Sequence, residues 1–234
     1  MRTVQQQARV CGLWYLAMGL TAPFGLLYVP GKVIVRNDAA ATAAHLRTLE
    51  TLVRIGIGTE LFHQAVGIFL IFALYRLFRH VDVHQARLLV ALGALVSVPI
   101  MYLNVLNQIA AITLAKGAPF LAAIDVQQRE ALAYLFVMLH SRGIDVASIF
   151  WGLWLFPFGL LVIRSGFIPR VIGVLLFIAG AGYIVAAFAA LVAPSWRPVV
   201  DPVTGITDIA ELPVMLWLLI WGARGPRAKQ ELPA

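Results

Sequence analysis

The sequence predicts an all-α, polytopic transmembrane helical bundle of about six spans, with a polar pocket opening toward the outer side of the membrane. Three observations predict it. The 234-residue chain is 61% hydrophobic and only 12% charged, a composition no soluble globular domain shares. Several apolar runs reach about 20 residues, the length a helix needs to cross the hydrocarbon. The alternating segments of about ten residues that mark a β-barrel are absent. Residues 1–224 read as a single bundle and 225–234 as a polar C-terminal tail.

The first span is expected from Ala8 to Val29, longer than a secretory h-region and without a convincing cleavage site, hence retained. The loop that follows leads into a helix for which Asn37 or Asp38 is the N-cap. Arg47–Glu50 and Glu50–Arg54 have the spacing of helix-surface ion pairs. The second span, beginning near Leu52, ends at Tyr75-Arg76, and a short basic turn carries His80 and His84. Both histidines suit a wet turn better than a metal site. The third span runs from about Ala86 to Leu114 with a kink at Pro99. Asp125 caps the fourth, about Leu132 to Ile163. Ser165-Gly166 and Pro169 turn the chain into the fifth, about Val171 to Val192. The stretch APSWRPVVDPVTG reads as a proline-rich outer loop, and the sixth span runs from about Ile206 to Gly222.

Six spans put both termini on one side, and the Arg-rich short turns favour the cytoplasmic side. The net charge of +7 is scattered around the span ends. That distribution points to anionic lipid and topology, not to nucleic acid. The one cysteine, Cys11, excludes an internal disulfide and any all-cysteine metal site, and reads as a space filler. There is also an internal echo: Arg54 and Arg142, and Arg76 and Arg164, are 88 positions apart, and Asp38 and Asp125 are 87 apart. Parallel duplication would produce this, as would equal bilayer thickness with shared turn rules.

The chemistry-bearing stretch is LVRIGIGTELFHQAVGIFLIFALYRLFR, from Leu52 to Arg79. A charged group in hydrocarbon costs at least about 2.5–3.5 kcal/mol, so such residues face a cavity or a partner. Glu60, His63, Gln64 and Gly67 recur at helical spacing and share one face. At about 1.5 Å per residue from the inner arginines, His63 and Glu60 lie about 20 and 24 Å deep, and Glu211 and Asp208 match them. Asn104 and Gln108 fall at about 26 and 32 Å, and Asp145 and Arg142 at about 28 and 33 Å. Polar groups thus gather in the outer half.

Two readings of that cluster stand side by side. Glu60-x-x-His63 has the i, i+3 spacing of carboxylate-bridged metal sites in helical bundles. Glu211, Asp208, Asp145 and His140 could supplement it. Otherwise the cluster is a hydrogen-bonded knot that glues helices, with Glu60 or Asp145 neutralised by Arg54 or Arg142. Asn104, Asn107 and Gln108 form a polar stripe suited to interhelical amide bonds. Arg142 and Asp145 are spaced for a pair within one helix, and His140 is placed near the outer interface. Trp151, Trp154 and Phe158 read as packing or lipid contact. Trp14, Tyr15 and Trp196 suit an interfacial belt.

The stretches ARVCGLWYL, NDAAATAAHLRTLETLVRIGIGTEL, LHSRGIDVASIFWGLWLFPFGLLVIRSGFIPRVIGVLLFIAGAGYIV and ELPVMLWLLIWG resemble the bacterial integral-membrane family called domain of unknown function 4386. The segment RSGFIPRVIGVLL is the most specific part. The resemblance covers most of the chain and implies a bacterial membrane protein of six or seven spans. It brings no established activity, so no catalytic residue is carried over.

No phosphate-binding glycine loop, G-x-S-x-G elbow, H-E-x-x-H or dinucleotide fingerprint is present. Three functions stay open. The first is a non-catalytic or accessory protein of the bacterial cell membrane, whose polar pocket stabilises helices or binds a small ligand or lipid. The second is a metal-dependent membrane enzyme using Glu60 and His63. The third is a small proton-coupled transporter with Glu60 or Asp145 as the carrier group. The sequence specifies no cofactor. Its partners are the lipid bilayer and, for a bundle this small, a second copy or a membrane-complex partner.

Overall fold

A computed structural model describes residues 3–224, leaving aside the side chain of Asp208. The described residues are helical and turn, without strands, and six of the helical stretches are long and apolar enough to cross a membrane. The tail expected at 225–234 lies outside the described residues.

Helix α1 (Val4–Val33) begins with a reciprocal cap. The Thr3 hydroxyl accepts from the Gln6 N–H at 3.2 Å, and Gln6 accepts from the Thr3 N–H at 3.0 Å. Within α1, Phe24–Tyr28 widen into a π turn in which the Val29 N–H reaches the Phe24 carbonyl. Pro23 and Pro30 bracket this turn. Neither has an N–H to donate, and a wider turn is how a helix absorbs the lost ladder bonds.

Asp38 caps α2 (Ala39–Thr48), accepting from the Ala41 N–H at 2.8 Å. Asn37 takes the left-handed turn before it, at φ 59°, which asparagine tolerates better than most residues. The chain breaks at Leu49 and continues as α3 (Glu50–Phe78). The break rotates Arg47 away from Glu50, correcting one expected pair. Arg47 instead bonds Glu130 and the Ala115 carbonyl, each at 3.1 Å.

Asp82 caps α4 (Val83–Lys116). In place of a simple kink at Pro99, α4 widens into a π turn over Ala91–Val96, one turn ahead of the proline. Helix α5 (Val126–Ser165) runs 40 residues from its Asp125 cap. At about 1.5 Å per residue it is far longer than the roughly 30 Å hydrocarbon, so it tilts or overhangs. Helix α6 (Arg170–Leu191) returns after Pro169.

The expected outer loop is a correction. Residues 194–208 are helical: a 3₁₀ turn, Pro194–Trp196, runs into α7 (Arg197–Asp208). Prolines in the first turn of a helix lose no ladder bond, and Pro198 stands there. Val199, Val203 and Ile206 face outward, while Thr204 and Thr207 turn inward. An apolar stripe that faces outward suits lipid, and beside it the exposed side chains of Arg197 and Asp201 pair with each other at 3.1 Å. A second 3₁₀ turn, Ile209–Glu211, separates α7 from α8 (Leu212–Ile220), so the sixth span is a broken helix.

The chain divides into two compact units, each drawn from several helices. One comprises residues 1–18, 66–99 and 145–234, and the other residues 19–65 and 100–144. In the first, an apolar core gathers Leu70, Leu74, Phe78, Leu155, Phe158 and Leu218 with the buried Cys11. Within it, α5 and α6 meet at glycines. A Cβ on Gly159 would lie 2.7 Å from the Gly173 carbonyl oxygen, and one on Gly180 would lie 2.8 Å from that of Gly152. The two pairs are seven residues apart on each helix, as antiparallel neighbours require. Such small-residue seams let backbones approach where no hydrophobic force drives helices together. The second unit has a smaller apolar core around Leu46, Val53, Ile112 and Val137, and it holds the polar cluster.

Candidate functional site

The site is built on α3. Its buried positions, Val53, Gly56, Glu60, His63, Gln64 and Gly67, follow a helical period, while Ile55, Phe62 and Phe69 point outward. The face expected from sequence is therefore the buried face. Glu60 is 3% exposed, and both carboxylate oxygens are engaged. Oε1 lies 2.7 Å from Gln108 Nε2 on α4, and Oε2 lies 3.1 Å from His140 Nε2 on α5. Gln108 Nε2 is also 2.6 Å from His140 Nε2. Three side chains from three helices thus close a triangle.

A second layer supports it. Asn104 donates to the His140 carbonyl at 2.9 Å and accepts from Asn107 at 3.0 Å. The amide of Asn104 fits because Gly143, one turn beyond His140, has no side chain in its way. On another side of Glu60 lies the π turn of α1. A Cβ on Gly25 would stand 2.9 Å from Glu60 Cγ, so glycine there is what admits the glutamate. His63 Nδ1 meets the Thr21 hydroxyl at 3.0 Å. Thr21, Gly25, Leu26, Glu60, His63 and Gln64 line a crevice between α1 and α3, too narrow to admit a water molecule.

Arg54 falls differently from expectation. Arg54 donates to Glu50 at 2.8 Å, four residues back along α3, and its side chain is largely exposed. Lys116 holds the other oxygen of Glu50 at 2.8 Å. A partly exposed glutamate at the helix end is a cheaper place for a guanidinium than a buried one. Glu60 is instead matched by an imidazole and an amide. Arg142 is exposed. Asp145 is half-buried and belongs to the other unit, as does Glu211. Glu211, in the break between α7 and α8, accepts a hydrogen bond from the Tyr15 hydroxyl. That contact also corrects the interfacial reading of Tyr15, which is 7% exposed. Asp208 closes α7, and its side chain lies outside the described residues.

Among the expected site residues, then, Glu60, Asn104, Asn107 and Gln108 come together, and His63 and Gln64 border the same glutamate. His140, placed near the outer interface on sequence grounds, stands at the centre, 4% exposed. Counting rise back from Arg164 puts it about 36 Å deep, against about 24 Å for Glu60. The two counts differ by about 12 Å although the side chains touch, so distance from the last arginine is not one depth scale shared by these helices. The missed signal was the spacing of His140 and Gly143, which leaves a gap on α5 fitted to the Asn104–Gln108 stripe. Thr21 and Gly25 gave no signal beyond their neighbouring prolines. Among the described residues, no group of three or more His, Cys, Asp or Glu side chains gathers in a way that could hold a metal ion. The aromatic stripe on α5 packs: Trp154 stacks on Phe158 at 5.6 Å, and Trp151 donates to Ser97 at 2.8 Å.

Comparison with known proteins places the chain. An uncharacterized protein of Archaeoglobus fulgidus is 48% identical over 42 residues, 18% of this chain and 26% of the relative. The chain thus spans about a quarter of the length of that curated relative. No solved structure matches. The family described as domain of unknown function DUF4386 matches residues 10–222. Nearly the whole helical region falls within that match, and the chain belongs to the DUF4386 family.

Proposed function

We propose that this multi-pass membrane protein is non-catalytic, an accessory protein of the bacterial cell membrane forming one bundle. In this reading its Glu60-centred network joins transmembrane helices and presents a recognition point for a small hydrogen-bonding ligand or lipid. The observation that carries this is the engagement of both Glu60 oxygens by Gln108 and His140. A catalytic carboxylate needs reach to a substrate, whereas this one is spent on its neighbours. A catalytic zinc needs three protein ligands, and Glu60 with His63 supplies two. The bundle is small enough that its working form is a homo-oligomer or part of a membrane complex.

Glu60→Gln and Glu60→Leu separate this reading from an enzyme. Glutamine keeps the shape and most of the hydrogen-bonding capacity, so its melting midpoint should stay near wild type. Leucine strands Gln108 and His140 at about 1–3 kcal/mol for each unsatisfied group, so its midpoint should fall clearly. Metal that survives purification of wild type and disappears from both Glu60→Gln and His63→Gln would overturn the reading.

Both termini are assigned to the cytoplasmic side, from the arginines at 76, 79 and 87 and at 164 and 170. Cysteine reporters at Ala234 and in the 194–202 segment test this. Impermeant reagent added outside should label only the second, and labelling of the tail would reverse the topology.

A further inference from the structure

We propose that the crevice between α1 and α3 binds a bare alkali cation, sodium in preference to potassium. This goes beyond the helix-joining role and rests on it in one respect, since the network is what fixes Glu60 at the edge of the crevice.

The π turn of α1 leaves carbonyl oxygens without backbone donors. Its Val29 N–H is taken by the Phe24 carbonyl. Regular helix resumes over Val29–Val33, where the Lys32 N–H serves the carbonyl of Tyr28, four residues back. Between these lie the carbonyls of Gly25, Leu26 and Leu27, and Pro30 has no N–H to give them. The Gly31 N–H is one donor for three acceptors. Gly25 and Leu26 line the crevice, and Gly25 lines it with backbone alone. Carbonyls freed at a break in a transmembrane helix are oxygens suited to a sodium ion.

On the facing wall, Gln64 supports this independently. It is 6% exposed, and among the described residues its side-chain amide makes no hydrogen bond. A buried amide left unpaired is costly, and the crevice is too narrow for water to relieve it. The Thr21 hydroxyl, 3.0 Å from His63 Nδ1, adds another oxygen. Carbonyl, amide and hydroxyl oxygens are hard ligands that suit alkali and alkaline-earth ions. Width and charge choose among these. A bare sodium ion is smaller than a water molecule, whereas a bare potassium ion is about as large. Glu60 is the one acidic side chain among the described residues that line the crevice. Its oxygens stay with Gln108 and His140, so it serves as counter-charge beside the ion and not as a ligand. One carboxylate balances one positive charge, and a divalent ion takes several acidic oxygens.

Melting of the full-length protein in one lipid or detergent tests this, in sodium, potassium and choline chloride at equal ionic strength. An ion that binds only the folded state raises the midpoint with its concentration. The wild-type midpoint should rise with sodium, hardly with potassium, and not with choline. Gln64→Leu removes the amide oxygen and should lose the sodium dependence, and Thr21→Val should weaken it. Should the variants not fold, radioactive sodium gives a readout on wild type alone: it should be retained, and displaced by unlabelled sodium but not by choline. Equal midpoints in all three salts overturn the proposal, as does a sodium effect that a folded Gln64→Leu keeps in full. An equal rise in potassium overturns the choice of ion. If sodium has no effect while the melting contrast between Glu60→Gln and Glu60→Leu holds, the cation alone is wrong and the helix-joining role stands.

Discussion

The two units of this chain solve one problem in opposite ways. Lipid tails are as apolar as leucine, so the hydrophobic effect does not pull transmembrane helices together. The unit of residues 1–18, 66–99 and 145–234 answers with contact. Glycine seams let α5 and α6 touch, and aromatic rings fill the rest, with Phe78 and Phe158 fully buried. Its buried hydroxyls are divided: Ser165 bonds the Val162 carbonyl and Thr204 the Val200 carbonyl on their own helices, while Ser97 accepts from Trp151 and Tyr15 donates to Glu211 as single links between segments. The unit of residues 19–65 and 100–144 answers with hydrogen bonds. There Glu60, Gln108, Asn104 and His140 reach between helices, and His63 reaches Thr21. Close contact is indifferent to pH and tolerant of chemistry but not of volume. A polar network tolerates small shifts but demands matched donors and acceptors.

The same substitution placed in each unit should expose that difference. Gly159→Ala puts a methyl 2.7 Å from a backbone oxygen, so the helices themselves must move apart. Overpacking of this kind costs about 1–3 kcal/mol, more than the roughly 1 kcal/mol that alanine gains in helix propensity. In Gly143→Ala the three atoms nearest the new methyl all belong to the Asn104 amide, 2.1, 2.3 and 2.6 Å away. That amide can rotate away at the loss of an interhelical bond worth about 0.6 kcal/mol, which the propensity gain offsets. Melting midpoints in one lipid or detergent should drop for Gly159→Ala and stay near wild type for Gly143→Ala. Equal drops, or the reverse order, would mean the two units are not held by different forces.

Legibility in the sequence divided along similar lines. The six spans were readable because hydrocarbon thickness imposes a minimum apolar length on every crossing helix. The buried face of α3 was readable because polar residues at helical spacing have few affordable places to go. The caps at Asp38 and Asp125 were readable from local chemistry alone. What failed depended on how far each helix extends and where it breaks. A helix boundary one residue past Arg47 redirected that arginine to Glu130. A count of rise from Arg164 hid that His140 stands beside Glu60. Prolines at 194, 198 and 202 suggested a loop, although Pro194 and Pro198 stand in the first turns of their helical segments, where proline is compatible with a helix, and only Pro202 lies inside one. The π turn beside Glu60 came from α1, whose sequence carries no charge there, so the residues that admit Glu60 were silent.

The smallest expected effect lies outside the spans, where water screens what the bilayer does not. Asp82 holds three partners at the turn before α4: the Gln85 N–H at 3.1 Å, the His84 N–H at 3.0 Å, and Arg164. These lower its pKa below the ordinary aspartate value, the Gln85 bond foremost, then the His84 bond and Arg164. A carboxylate with a depressed folded-state pKa contributes stability that is present above its unfolded value. That contribution is lost as pH falls through the folded one. Asp82→Asn keeps a good capping side chain but surrenders the charge facing Arg164. Wild type should therefore melt slightly higher than Asp82→Asn near neutral pH, and the two should converge as the solution is acidified below the aspartate range. The difference should be smaller than that produced by Gly159→Ala, because the pair is exposed to solvent and salt. A gap between the two curves that stays constant down to low pH would show that the turn is held by its geometry and not by the charge on Asp82.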